Sequence, residues 1–429
     1  MYGLETLNRD RPIVNSLLEP DFYKFTMGQF VWSSYPDVDV TAALRCRTKG
    51  VLLGEVIDLG ELREQLDHSR TIRLNKTRLH YLRGTNEYGN RMLHEPYLEF
   101  LGGLALPEYL LEKRGSDIRL EFGGPWPVQK FWETLALSIV NELYTRALMK
   151  KLTRFEREAV MARAILRLQE KIAILRANPD IMFSDFGTRR RAFAAWQRYI
   201  NEVLCEELPR QFLGSSNTEL AMEFGTTPMG TSAHELQMVI AGLHQGQPQF
   251  LKASQREVVE GWWRQYGYGL SVFLPDTYGS EFFFNNLTEQ ELREWKGARW
   301  DSGDPIVFGE RLIARYESLG IDPREKLIVW SDGLDIPEIL KLRGHFNGRI
   351  RSSFGWGTNL TNDLWDNQWH DGLWYGPLSL VIKPKTANGR GLVKLSDNPA
   401  KATGESDDVD RYKAEVNYDP DAQRVECVY

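Results

Sequence analysis

Val38, Val40, Ala42, Leu44 and Cys46 alternate with Asp39, Thr41, Arg45 and Arg47, the period-two pattern of a strand with one buried face. Ile118, Leu120 and Phe122 alternate in the same way with Asp117, Arg119 and Glu121, and a helical pattern runs from Val128 to about Met149. The simplest account of this first part is an antiparallel sheet with helices. From about residue 180 the rhythm changes to short apolar runs, each closed by Gly, Ser, Thr, Asp or Arg. In order they are IMFSDFGTRRR, QFLGSSNTE, TPMGTSAHE, SVFLPDTYGS, ARWDSGDP, LIVWSDG, IRSSFGWGTN and LSLVIKPKT. Helical patterns lie between several of them. The clearest opens on Asp304 as N-cap with Pro305 at its first position and stops at Gly320; a turn at Asp322 and Pro323 then leads into the strand Leu327–Trp330.

Strand candidates alternating with helices predict an α/β protein whose second part is an irregular (β/α) barrel. In such barrels the loops after the strands build the active site, and the polar clusters occupy that position. The expected division is an N-terminal α/β domain over residues 1–150 and a barrel over 151–386. A polar tail, 387–429, packs back on the first domain or forms a surface ribbon, with loops at Asn388-Gly389-Arg390-Gly391 and Ser406-Asp407-Asp408. No internal repeat is visible.

Composition narrows the classes. Apolar residues at 42% and charged residues at 26% are ordinary for a folded globular chain. The net charge of −6 and the lack of a basic block argue against a grip on nucleic acid. Cys46, Cys205 and Cys427 show no CxxC spacing, so neither a disulfide framework nor a zinc ribbon is expected, and a reducing, cytoplasmic setting is. The N-terminal stretch has no signal-peptide pattern, and no run has the length and apolarity of a membrane span.

Several clusters carry groups suited to phosphate and sugar. Gly355, Gly357 and Thr358 combine an open backbone with a hydroxyl, as anion-binding turns do, without matching GxxxxGK[ST] or GxGxxG. Asp304 caps its helix, which leaves Asp301 beside Arg299 open to ribose hydroxyls or a metal; Asp332, with Asp335 behind it, poses the same choice. Arg189, Arg190 and Arg191 read first as a solvated helix start, with a clamp for carboxylate or phosphate as the alternative. His234 lies beyond a predicted strand with no HExxH around it, so the imidazole is either structural or reactive.

These clusters, in this order, resemble the nicotinate phosphoribosyltransferases. The similarity runs nearly the whole chain: LLEPDFYKFTMGQ, FGTRRR, GSSNTELAMEFGTTPMGTSAHE, RWDSGDPIVFGE, SDGLD and SFGWGTNLTND. One departure is Ser184-Asp185 ahead of Phe186, where a Glu is commoner. The resemblance implies a type II phosphoribosyltransferase, an N-terminal α/β domain with an irregular barrel, acting as a homodimer with shared sites. It implies nicotinate, 5-phosphoribosyl 1-pyrophosphate and ATP as small-molecule substrates, and Mg²⁺ as cofactor.

By the same resemblance His234 is the residue phosphorylated by ATP. Tyr23, Phe186, Arg189, Thr231 and Arg299 match nicotinate-pocket positions, with Tyr23 expected to reach the partner subunit's site. Gly355, Gly357 and Thr358 match the phosphoribosyl-phosphate site, and Asp301 and Asp332 match positions near ribose and magnesium. Ser216 stands where nicotinamide-using relatives carry an aspartate, which favours the acid over the amide. Quinolinate enzymes are shorter, and a barrel without activity would be expected to lose His234, Arg299 or Asp332, all of which are present.

Overall fold

The computed structural model describes residues 12–87 and 90–416. The first part supplies the strands β1 (Asp39–Cys46), β2 (Tyr109–Arg114) and β3 (Asp117–Pro125). It also supplies the helices α1 (Tyr23–Ser34) and α2 (Trp132–Lys151). The expected helix from Val128 is therefore two pieces: a short Trp126–Gln129 turn stands ahead of α2.

Six parallel strands follow, β4 (Phe183–Asp185), β5 (Phe212–Ser215), β6 (Val272–Phe273), β7 (Gly297–Trp300), β8 (Leu327–Trp330) and β9 (Arg351–Trp356). Between them lie α3 (His234–His244) and α4 (Pro305–Ser318). The Asp304 side chain accepts from Val307 N at 3.0 Å and Gly320 takes φ +64°, so both ends of α4 follow the sequence signals. The strand order is β5-β4-β9-β8-β7-β6. The register sets Asp185, Trp300, Trp330 and Trp356 at one rim, so the loops after these strands converge.

Two of the eight expected barrel strands are something else. The TPMG run forms no ladder; it passes beside β5 with Met229 N donating to Ser215 O at 2.9 Å. Gly230 approaches α1 so closely that a Cβ there would lie 2.9 Å from Tyr23 N. The LSLVIKPKT run is β10 (Leu380–Ala387), which leaves the barrel and pairs antiparallel with β1, Leu44 opposite Ile382. With β11 (Arg390–Gly391) it completes a five-stranded sheet in the order β11-β10-β1-β3-β2. The tail thus returns to the first sheet, and Ser406-Asp407-Asp408, expected as a loop, opens the helix α5 (Ser406–Val416). Acidic residues in a first turn suit the helix dipole, and that outweighs their loop propensity here.

α2 and α3 both pack on β10. One continuous apolar core links Phe25, Trp132 and Leu137 of the first part with Phe183, Trp300 and Trp330 of the barrel. Among the described residues no helix is long and apolar enough to cross a membrane.

Candidate active site

A cavity of about 870 Å³ opens where the barrel loops meet the first sheet. It begins at the end of β4. Asp185 is fully buried and accepts from Gly187 N (2.7 Å), Gln197 Nε2 (2.8 Å), Asn201 Nδ2 (2.9 Å) and Ser215 Oγ (2.8 Å). A short carboxylate with four donors fixes the turn that presents Phe186, which gives the Ser184-Asp185 departure a structural purpose. Phe186 lies directly over Gly355: a Cβ on that glycine would sit 2.3 Å from the ring. The Arg299 guanidinium stands 5.8 Å from the ring centroid. An aromatic face beside a guanidinium suits a flat, anionic ring.

Arg299 links that slot to His234. Its Nη2 donates to Asp301 Oδ1 at 2.7 Å and its Nε to Ser331 Oγ at 2.8 Å. Asp301 Oδ2 lies 3.0 Å from His234 Nε2, and Asp276 Oδ1 lies 3.5 Å from the same nitrogen. Thr277 Oγ1 holds the other ring nitrogen, Nδ1, at 3.0 Å. Lys394, from the tail, reaches Nε2 and Asp276 Oδ2 at 3.0 Å each. Burial, with Lys394 nearby, draws the imidazole down to about 4 despite both carboxylates, so it is neutral at pH 7. Burial opposes ionisation of Asp276, but His234 and Lys394 overcome it and hold that carboxyl at about 2. Asp301 is held low in the same way by Arg299, His234 and Lys394 against its burial.

A second charged group reaches the same cavity through Glu133 and Glu235. Lys24, fully buried, pairs with Glu133 at 2.6 Å and Glu235 at 2.7 Å. Tyr23 donates to Glu133 Oε2 at 3.1 Å, and Trp126 Nε1 donates to Glu235 Oε1 at 2.7 Å. Arg189 stands 3.8 Å from Glu133. Lys383 on β10 also lines the cavity. Burial and the cations Lys394, Arg189 and Arg47, partly offset by Glu133, bring its ammonium down to about 7.

The structure gathers Tyr23, Phe186, Arg189, Ser216, His234, Arg299, Asp301, Asp332, Gly357 and Thr358 on this one cavity. Tyr23 lines the cavity of its own chain. Thr231 and Gly355 line instead a second cavity of about 910 Å³ in the barrel interior, and Phe186 and Arg299 stand between the two. Ser216 Oγ donates to Asp21 Oδ1 at 2.7 Å, so a carboxylate already stands behind it. Asp276, Lys394, Lys401, Lys24 and Glu133 were not singled out in the sequence. Asp276 lay inside a recognised cluster, SVFLPDTYGS, and Lys24 inside LLEPDFYKFTMGQ, so both could have been found there; Lys394 and Lys401 lie in a segment with no local signal.

The magnesium expected beside Asp301 and Asp332 does not fit these two residues as resident ligands. Asp301 Oδ1 accepts from Arg299 and Ser331, its Oδ2 faces His234, and Asp332 pairs with Lys401 at 2.6 Å. Ligand atoms of His234, Asp276 and Asp301 cluster within 4.8 Å of one another, but the ammonium of Lys394 stands where a cation would neutralise them. Mg²⁺ also favours an all-oxygen octahedron over an imidazole.

Comparison with known proteins gives the arrangement its context. Residues 181–420 match the model of the nicotinate phosphoribosyltransferase (NAPRTase) family, and residues 18–141 match that of its N-terminal domain. The structure is similar to that of nicotinate phosphoribosyltransferase from Vibrio cholerae, with TM-score 0.84 and 32% identity over 96% of this chain and 95% of that one. It is also similar to the enzyme from Porphyromonas gingivalis, with TM-score 0.83 and 26% identity over 95% and 100%. The chain belongs to the nicotinate phosphoribosyltransferase family and is a phosphoribosyl-transferring enzyme.

Proposed function

We propose that the chain joins nicotinate to 5-phosphoribosyl 1-pyrophosphate, the first step of NAD formation from nicotinate, and couples this to ATP hydrolysis through phosphorylation of His234. The observation that carries the coupling is the unbroken link from the base slot to the imidazole: Phe186, Arg299, Asp301, His234. The pyridine nitrogen attacks the anomeric carbon as the bond to pyrophosphate breaks, and the leaving group takes the electron pair. No protein base is needed, because the attacking nitrogen carries its own lone pair.

The site's task is therefore positioning and charge. Phe186 and Arg299 hold the ring and its carboxylate. Arg47 and Lys401 line the cavity as cations for the polyphosphate groups, and Lys383, brought down to about 7, takes up its full charge as an anion approaches. Mg²⁺, held by the phosphates themselves and not by Asp301 or Asp332, would neutralise part of their charge. The neutral imidazole takes the γ-phosphoryl group on Nε2, beside Asp301, so the change of charge is felt by the carboxylate whose other oxygen holds Arg299. The enzyme works in the cytoplasm as a homodimer, a reading that rests on the family resemblance.

Incubation with γ-labelled ATP tests the coupling. Wild type should acquire acid-labile label and release ADP in step with mononucleotide. His234→Asn should acquire no label yet retain slow synthesis at high substrate concentration. Label persisting in the variant would move the phosphate to another residue.

A further inference from the structure

The tail residue Lys394 meets the imidazole of His234 in a geometry that fixes more than its charge. An ammonium only donates hydrogen bonds, so its 3.0 Å contact with Nε2 requires a lone pair there. Asp301 Oδ2, also 3.0 Å from Nε2, only accepts and would prefer a proton on the same atom. The two demands exclude one another, and their costs differ. Lys394 is 3% exposed, and its ammonium has hydrogen-bond partners only in Nε2 and Asp276 Oδ2 among the described residues. A proton on Nε2 would set two buried donors against each other. Asp301 is only half-buried, and its Oδ1 already accepts from Arg299 and Ser331. The lone-pair arrangement therefore leaves the better-solvated group wanting, which is the cheaper outcome.

The backbone holds both partners in one frame. Thr277 Oγ1 faces Nδ1 at 3.0 Å, while Thr277 O accepts from Leu395 N at 2.9 Å and Ser396 N at 3.2 Å. Lys394 is further pinned to Thr403 by two backbone bonds of 2.9 Å. The histidine and the lysine that reads it thus hang from the same threonine.

We propose that Lys394 is a positioning residue that holds His234 in the tautomer with its proton on Nδ1 and its lone pair on Nε2, the form able to accept a phosphoryl group. This rests on the reading of His234 as the phosphate acceptor. In the step it serves, the Nε2 lone pair forms the N–P bond as the bond from the γ-phosphorus to the bridging oxygen breaks, and ADP departs with that electron pair. The Nδ1 proton stays on the ring, shared with Thr277. The ring gains a formal positive charge, which Asp301 and Asp276 Oδ1 offset; Asp276 Oδ1 has no hydrogen-bond partner among the described residues. Lys394 passes from the lone pair to the phosphoryl oxygens.

The test is ¹⁵N-histidine spectroscopy of the ligand-free full chain at neutral pH, with the His234 signals identified by their loss in His234→Asn. Wild type should show Nδ1 protonated and Nε2 bare. Lys394→Met should move the proton to Nε2, toward Asp301, and slow phosphoenzyme formation from γ-labelled ATP by about tenfold or more, as a misplaced imidazole proton does elsewhere. Lys394→Arg, which keeps a donor-only cation, should keep the wild-type tautomer. A wild-type signal with Nε2 protonated overturns the proposal, and so does a Lys394→Met signal identical to wild type. These readings need no ATP, so they stand apart from whether His234 takes phosphate at all. If Lys394→Met does not fold, the wild-type and Lys394→Arg spectra decide.

Discussion

At the scale of the residue, His234 ties stability to pH. Its folded value near 4 lies below the ordinary 6.5, so between those limits the unfolded chain binds the proton and the folded one does not. Stability present above pH 6.5 is therefore lost as pH falls toward 4, by on the order of 2–3 kcal/mol. Asp276, held at about 2, stays charged through that window and adds its own loss only below it. Thermal midpoints of wild type and His234→Asn, measured from pH 4 to 7, check this. The variant's curve should be flatter on the acid side, and parallel curves would mean that another group controls acid sensitivity. His234 was legible in the sequence because its cluster carried a motif. Asp301 beside it was legible too, but Lys394 was not: it lies 160 positions away, in a tail whose polar pattern gave no period.

Local signals predicted elements well where a cap or an alternation acts alone, as at Asp304-Pro305 or along β1. They failed where partners decide. β10 read as a barrel strand because its apolar run and polar end match the others, yet its edge pairs with β1. TPMG read as a strand but is held beside β5 by a single hydrogen bond from Met229. At Gly355 the element and the site meet, since β9 passes under the Phe186 ring with no room for a methyl group. Gly355→Ala must push that ring into the base slot. The expected result is a rise of about tenfold or more in KM for nicotinate, with smaller change in kcat and unchanged far-ultraviolet dichroism, since one misplaced contact costs about 1.4 kcal/mol or more. An unaltered KM would separate Phe186 from the base.

At the scale of the molecule, the cavity exists because the chain leaves the barrel, completes the first sheet and sends Lys394 and Lys401 back to the rim. Lys24 makes the corresponding bond from the N-terminal side, joining α1 to Glu133 of α2 and Glu235 of α3. Lys24→Met would strand two buried carboxylates and should destabilise the fold by about 3–5 kcal/mol. Adding Glu133→Gln should recover part of that loss, and strictly additive effects would show that the pair is not coupled. The alternation along the chain thus outlined the two halves, whereas the charges that join them became visible only in three dimensions.

The proposed reaction requires that this cavity accept nicotinate and transfer a phosphoribosyl group to it. The most direct measurement is mononucleotide formation from labelled nicotinate, nicotinamide and quinolinate, each with 5-phosphoribosyl 1-pyrophosphate, with and without ATP. Product is expected from nicotinate alone, with kcat/KM raised by ATP in wild type and unaffected by it in His234→Asn. Preferential use of nicotinamide, or no mononucleotide from any of the three, would contradict it.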